Sequence, residues 1–299
     1  VVYVDLSEDE EHLILATLDP LSAMAEADDD ALADLLAAVT AEDGALAGML
    51  EALAPLAPVD GSDTEAGEPA DEPYVKLGDV WQVGEHRIMC GDSTDAEDVA
   101  RLLGGETIGA TVTDPPYGVS AVKGGMVGAD FGVAKKGRYA PIEGDESTPR
   151  VAYLLDTAPQ VIVWGGNYFA DQFPPSGTWL VWDKRADSGI ENTFADCELA
   201  WTNVGGPARV HRQLWNGMIR EGEHDLRQHP TQKPTALIEW CVEKTEGAVY
   251  DPFLGSGTTA IAAANRGRKC YGMEISPAYA QVSIERLAAH IGEPPERAK

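Results

Sequence analysis

Four consecutive residues, Asp114-Pro115-Pro116-Tyr117, bring together a carboxylate, two tertiary amides without N–H groups and an aromatic ring. They follow residues 108–113, where Ile108, Ala110 and Val112 alternate with Gly109, Thr111 and Thr113 in the period of a short strand. The prolines stop further ladder pairing and glycines follow, so the strand should end in a rigid, open corner. There Asp114 and the Pro115 carbonyl can accept the two N–H bonds of an exocyclic amine on a flat ring. Tyr117 can stack on the face of that ring. Asp-Pro-Pro-Tyr is also a good loop sequence, so the motif alone leaves a turn and an amine-binding corner both open.

A second motif runs from Val249 to Thr259. Val-Tyr-Asp reads as the end of a strand, Pro-Phe-Leu-Gly-Ser-Gly as a turn, and 260–266 as an alanine-rich helix. Gly255 and Gly257 allow backbone to approach a ligand, and the helix start offers unpaired N–H groups to a carboxylate. Asp251, Phe253, Gly255, Ser256, Gly257, Thr258 and Thr259 are therefore candidate cofactor contacts. Gly267 stops the helix, and a strand over 269–275 delivers Glu274, about 20 residues beyond the turn, where an acid can bind ribose hydroxyls. The turn lacks the Gly-Lys-Ser/Thr ending of a nucleoside triphosphate P-loop.

With both motifs in this order, residues 76–291 resemble the circularly permuted β group of DNA amino-methyltransferases that use S-adenosylmethionine. The resemblance implies a Rossmann-like α/β fold with a mostly parallel sheet and an antiparallel closing pair. It implies double-stranded DNA as substrate and transfer of a methyl group to the amine of a flipped-out base. Asp at the head of the motif favours adenine N6, with cytosine N4 as the alternative. Asp114, Pro115, Pro116 and Tyr117 become the catalytic set. Asp92 and Ser93, at the end of the strand His86–Cys90, would lie at the cofactor's adenine; Asp92 equally suits the N-cap of a helix over 96–103. His229-Pro230-Thr231-Gln232-Lys233-Pro234 matches the motif that contacts the cofactor's methionine part, with His229 and Thr231 in contact and Lys233 as carboxylate partner. A homodimer and a cognate restriction endonuclease are the protein partners such enzymes allow.

The formal net charge of −28 is unusual for a DNA-binding chain. Residues 1–75 hold 20 Asp and Glu and no Lys or Arg, leaving 30 acids against 22 bases in residues 76–299, a balance of −8. Attraction to DNA must therefore come from local patches. Lys123, Lys135, Lys136 and Arg138 lie in a long glycine-rich stretch after Tyr117, which reads as a lid, and Arg220 lies in a short polar connection. Residues 1–57 open without Met, as in a piece cut from a longer chain. They resemble the end of a ParB-like partition domain, although an acidic helical arm fits equally. Residues 58–74 read as a linker and 75–299 as the catalytic domain. A non-catalytic DNA-binding or partition protein is the reading from a different class.

The remaining pattern supplies the scaffold. Residues 147–158 read as a helix, 161–164 and 178–184 as strands, and 197–202 with 210–215 as the closing antiparallel pair. Trp164, Tyr168 and Trp182 are candidates for the base pocket, though aromatics in such strands are mostly core. Cys90, Cys197, Cys241 and Cys270 show no CxxC spacing and read as reduced core residues of a cytoplasmic protein. No metal-ligand spacing appears, so a metal is not expected. No apolar run reaches membrane length and no signal peptide is present, which argues against a membrane or secreted protein.

Overall fold

The computed structural model describes residues 67, 69–70, 72–118, 122–123, 126–127, 148–186, 195–216, 219–220 and 232–298. All of these fall in the unit Asp63–Lys299. The expectations for residues 1–57, and for most of the linker and lid, lie outside them.

A ten-stranded sheet forms the body, in the order β14-β1-β2-β13-β12-β3-β6-β8-β7-β9. Its centre is five parallel strands: β2 (His86–Cys90), β13 (Cys270–Glu274), β12 (Ala248–Asp251), β3 (Ile108–Thr113) and β6 (Gln160–Trp164). These strands are almost wholly buried, as parallel strands covered on both faces must be. On one side β1 (Val80–Val83) and the short β14 (Glu296–Arg297) extend the sheet antiparallel. On the other come β8 (Cys197–Thr202), β7 (Trp179–Asp183) and β9 (Arg209–Arg212). Two small hairpins, β4 (Val122–Lys123) with β5 (Met126–Val127) and β10 (Trp215–Asn216) with β11 (Ile219–Arg220), stand apart from the sheet.

Helices cover both faces. Helices α2 (Thr235–Val242), α3 (Thr258–Asn265) and α4 (Pro277–Ile291) share one core with Ile88, Val112, Ile162, Trp164 and Val249. Helix α1 (Ala96–Leu103) seats Leu102 among Met89, Tyr250, Tyr271 and Met273 on the opposite side. This is the doubly wound α/β arrangement expected from the sequence. Helix α1 has the expected bounds, but its N-cap is Asp95, whose carboxylate accepts the Glu97 N–H at 2.8 Å. Gly104 ends it in the left-handed conformation that favours glycine. Among the described residues no helix is long and apolar enough to cross a membrane.

Three expectations are corrected. The strand 197–202 does not pair with the one that follows it. β8 lies antiparallel between β6 and β7, while β9 crosses to the outer side of β7 and runs parallel to it. The antiparallel closing pair is thus β8 with β7. Residues 148–158 hold a short 3-10 turn (Ala152–Asp156) rather than the helix expected over 147–158: Pro149 and Pro159 turn the residues before them away from helical backbone, and Gln172 takes the Val151 N–H and bonds the Pro149 carbonyl from outside the segment. Cys90, Cys241 and Cys270 are buried thiols outside any disulfide, but Cys197, the first residue of β8, is exposed.

The centre of the sheet also contains a close backbone approach. A Cβ on Gly109 would lie 2.2 Å from the Glu246 carbonyl oxygen and 2.8 Å from the Gly247 Cα, beside the register shift between β3 and β12. Rigid backbone cannot yield as a side chain would. Gly109→Ala should therefore destabilise the fold by about 1–3 kcal/mol, as overpacking does. Thermal unfolding of the variant should show a clear fall in Tm, and an unchanged Tm would refute this packing argument.

Candidate active site

All five central strands point the same way, so their C-terminal residues Cys90, Glu274, Asp251, Thr113 and Trp164 fall on one edge of the sheet. That edge is where open α/β sheets place their ligands. Asp114-Pro115-Pro116-Tyr117 continues from β3 at the middle of it. β7 also ends on this edge and β8 begins there, which puts Lys184 and Glu198 beside the same corner.

Asp114 is engaged through both oxygens. The Tyr117 hydroxyl donates to one at 2.6 Å, and Lys233 Nζ donates to the other at 2.5 Å. Lys233 also approaches the Tyr117 hydroxyl at 3.0 Å and Glu198 at 3.2 Å, while Glu198 accepts from Lys184 at 2.7 Å. The result is a chain of alternating charge: Asp114, Lys233, Glu198, Lys184. The Lys233 side chain is only 6 % exposed, whereas Asp114 and Glu198 each retain 23 % and Lys184 21 %, so the ammonium of Lys233 is the most buried member of the chain. Among the described residues no hydrogen bond reaches the Pro115 carbonyl.

The charges respond to burial and to one another. Burial pushes the Asp114 carboxyl up, with Lys233 opposing the shift. Burial also disfavours the Glu198 anion, but Lys233 and Lys184 outweigh it and hold Glu198 at about 2. For Lys233 burial favours the neutral amine, and Asp114 and Glu198 overcome this and raise it. Tyr117 is driven well above its ordinary range by burial and by Asp114, so its hydroxyl stays a donor.

Aromatic packing completes the corner. Tyr168, half exposed after the Gly165-Gly166 turn of β6, stacks on Tyr117 at 4.8 Å between ring centroids and 15° between planes. Gly165 adopts a φ of 71°, and a Cβ there would fall 2.1 Å from the Tyr117 ring. Of the three candidate pocket aromatics only Tyr168 is exposed; Trp164 and Trp182 are buried and pack edge-to-face on each other.

The glycine turn occupies the neighbouring position. Gly255, with φ 57°, donates its N–H to Glu274 at 2.8 Å, and Glu274 also accepts the Ser276 N–H at 2.9 Å. Gly257, with φ 89°, is the N-cap of α3 and provides no side-chain cap. Its missing Cβ makes room for Ser283, whose Cβ would lie 2.9 Å away. From α4, Arg286 donates to the Ser256 carbonyl at 3.0 Å and approaches Thr258 at 3.3 Å, tying the turn to the core. Ser256 reaches Gln232 at 3.4 Å. Asp251 points inward rather than into the cleft: Thr113 donates to it at 2.6 Å, the Phe253 N–H at 3.0 Å, and Thr259 bonds it as well.

On the adjacent strand Asp92 is exposed and uses one oxygen to accept from the Thr94 N–H and hydroxyl, at 2.8 and 2.7 Å. Its second oxygen has no partner among the described residues. Ser93 is buried against the Tyr153 hydroxyl at 3.0 Å. Lys123 and Arg220 are described only as backbone of the two hairpins. Lys135, Lys136, Arg138, His229 and Thr231 lie outside the described residues.

This edge has the donor and acceptor set of a nucleoside amino acid. Two acids, Glu274 and Asp92, stand on neighbouring strands, with an uncapped helix start and a glycine turn beside them. Ile275, 43 % exposed directly after Glu274, adds the apolar surface an adenine ring would cover. The DNA methylase family profile matches residues 181–285. The type II methyltransferase M.ScaI of Streptomyces caespitosus is 42 % identical over 268 residues, covering 73 % of this chain and 84 % of its own.

The chain belongs to the DNA methylase family.

M2.DpnII of Streptococcus pneumoniae, also a type II methyltransferase, is 34 % identical over 121 residues, covering 39 % of this methylase and 44 % of its own chain. The crystal structure of the M1.HpyAVI–SAM complex aligns with 67 % of this chain and 98 % of its own, at a TM-score of 0.40 and 20 % identity. The methylase's sequence did not reveal Glu198 or Lys184. Its only trace of them is a single acid in the apolar run 197–202 and a lysine after Trp182-Asp183, and strand pairing is needed to bring them together.

Asp251 has a testable consequence. Burial raises its carboxyl to about 6, against the opposing hydrogen bonds from Thr113, Thr259 and Phe253. An acid whose folded pKa is raised binds more protons folded than unfolded, so its contribution to stability falls as pH rises. The fall should span from about pH 4, the ordinary aspartate range, to about pH 6. Asp251→Asn carries no such charge. The Tm of the variant minus that of the wild type should therefore grow more positive across this window and level off above it; a flat difference would contradict the buried-charge account.

Proposed function

We propose that this DNA methylase transfers a methyl group from S-adenosylmethionine to the exocyclic N6 amine of an adenine turned out of double-stranded DNA. The observation that carries the reading is the corner after β3. There Asp114, a partly exposed carboxylate, sits beside Pro115, whose carbonyl accepts no hydrogen bond among the described residues, and beside an aromatic pair. Asp at the head of the motif favours adenine. A relative, the DNA adenine methyltransferase YhdJ of Escherichia coli, is 39 % identical over 107 residues, 34 % of this chain, and supports the same choice. Cytosine N4 is the second reading, since the family includes both kinds of acceptor.

S-adenosylmethionine, when bound, supplies an electrophilic methyl group on a sulfonium. The acids Glu274 and Asp92 would hold its ribose and adenine, and Ser256, Gly257, Thr258 and Thr259 would surround its amino-acid end. His229 and Thr231 would join that end, as the resemblance implies, whereas Lys233, expected there as a carboxylate partner, pairs with Asp114 and Glu198. Asp251 and Arg286 act behind the turn, fixing its shape.

The acceptor is the harder partner, because the lone pair of a base amine is delocalised into the ring. Hydrogen bonds from the amine to Asp114 and the Pro115 carbonyl favour a pyramidal nitrogen and stabilise the positive charge it acquires. Tyr117, held by its hydroxyl bond to Asp114, offers a stacking surface, as does Tyr168. Both would replace stacking lost when the base leaves the duplex. Alignment of nitrogen and methyl carbon then accounts for much of the rate. In the same reading the chain is circularly permuted, with a ParB-like tail over 1–57, a linker over 58–74 and the catalytic domain over 75–299.

The deciding experiment is transfer from labelled S-adenosylmethionine into plasmid DNA, followed by nucleoside mass spectrometry. N6-methyladenine is the expected product; N4-methylcytosine would transfer the same mechanism to the other base. Asp114→Ala should lower the transfer rate by roughly 10²-fold or more, on the scale of removing one transition-state hydrogen-bond partner. Binding of the cofactor, measured by calorimetry, should stay near the wild-type value, and undiminished transfer would remove Asp114 from the mechanism. Glu274→Ala should do the reverse and weaken cofactor binding by at least about tenfold, the equivalent of one charge-assisted hydrogen bond. An unaltered Kd would rule out its ribose role.

A further inference from the structure

Asp114 meets a cation in the position where the target amine must also bond. Lys233 Nζ is 2.5 Å from Asp114 and 3.2 Å from Glu198, so one buried ammonium is shared unequally between two carboxylates. While Lys233 holds Asp114, the carboxylate is a weakened acceptor, and a positive charge stands beside a nitrogen that must itself become positive. Glu198 is anchored independently, because Lys184 bonds its other oxygen at 2.7 Å. The oxygen facing Lys233 is therefore available to take a larger share of the ammonium.

We propose that Glu198 is a positioning residue for methyl transfer: it draws Lys233 away from Asp114 as the amine arrives, freeing Asp114 to accept from the substrate. This rests on the amine-methylation reading above. No covalent step is involved, and only the partner of one ammonium changes. A buried cation must stay paired in both states, and Glu198 makes that possible. With Asp114 alone as counter-ion, Lys233 could leave it only by becoming an unpaired buried charge.

The groups facing Lys233 come from several elements. Asp114 and Tyr117 approach from the end of β3, Glu198 from β8, with Lys184 of β7 behind it, and Cys241 from α2. Asp251 of β12 acts on Asp114 from further off. Burial pushes the Cys241 thiol up to about 12, so it stays neutral, and Tyr117 likewise stays protonated. Glu198 helps to raise Lys233, and its neutralisation should let Lys233 lose its proton at lower pH. In Glu198→Gln the ammonium has only Asp114 to hold, until alkaline solution discharges it.

Single-turnover methyl transfer to DNA should be followed between pH 7.5 and 9.5, the range being about one to three units below an ordinary lysine, for wild type, Glu198→Gln and Glu198→Asp. The rate of Glu198→Gln should fall roughly 10-fold or more at the lower pH, as for an interaction made chiefly in the transition state. It should recover with rising pH, while the wild-type rate stays nearly level. Glu198→Asp keeps the charge with a shorter reach and should fall between the two. If Glu198→Gln does not unfold cooperatively, Glu198→Asp decides, since with a shorter reach to Lys233 it must be slowed by more than its folded fraction explains. Variant profiles parallel to the wild type, lowered only by their folded fraction, would overturn the proposal while leaving the amine chemistry intact. Absence of transfer by the wild type would instead overturn the amine-methylation reading, and this inference with it.

Discussion

Taking an ammonium group out of water is costly unless anions meet it, and that requirement shapes the reactive edge of this sheet. Lys233 is carried to the edge from the segment before α2, beneath Tyr117 and Trp164, where solvent does little for it. Two carboxylates answer the charge, and each comes from a different strand. Their placement depends on β8 being threaded between β6 and β7, which puts an acid from an antiparallel strand beside an acid from a parallel one. A sheet closed in simple chain order would leave Glu198 elsewhere.

The cofactor side is built on a different principle. Its polar contacts are largely backbone, and their side-chain supports are buried. Asp251 accepts from both ends of the turn, Arg286 fastens the carbonyl of Ser256 from the opposite helix, and Ser283 fills the space left by Gly257. Of the two acids at this edge, Glu274 is held by the N–H groups of Gly255 and Ser276, while Asp92 is exposed. A rigid turn and two acids form a preorganised receptor, whereas the Asp114 corner consists of side chains already paired and ready to exchange partners. Preorganisation suits a ligand that must be held, and exchange suits one that must be turned over.

The central fold was legible because its signals were local. Alternation in 108–113, the glycine turn of 249–257 and the stop at Gly104 each depend on neighbours a few residues apart. The bounds of α1 followed from such signals, although the capping residue proved to be Asp95, not Asp92, since a cap is decided by one hydrogen bond. Long-range pairing left no comparable trace. Nothing in 197–202 names its partners, so β8 was expected beside β9 and was found beside β6. The same gap concealed the role of Lys233: the matched motif pointed to a carboxylate partner, and the carboxylates it meets within the chain come from strands 35 and 119 residues away in sequence. Exposure of Cys197 had a similar cause, because the first residue of a strand can project beyond the sheet that buries the rest.

The outermost strands have a consequence for assembly. At one border the sheet ends in β14, two exposed charged residues long; at the other it ends in β9, where Arg209 and Arg212 flank Val210 and His211. Brief, charge-bearing borders of this kind are poor templates for docking another strand. Continuation of the sheet from one molecule into the next is thereby discouraged, and the long run of backbone hydrogen bonding stays within a single copy.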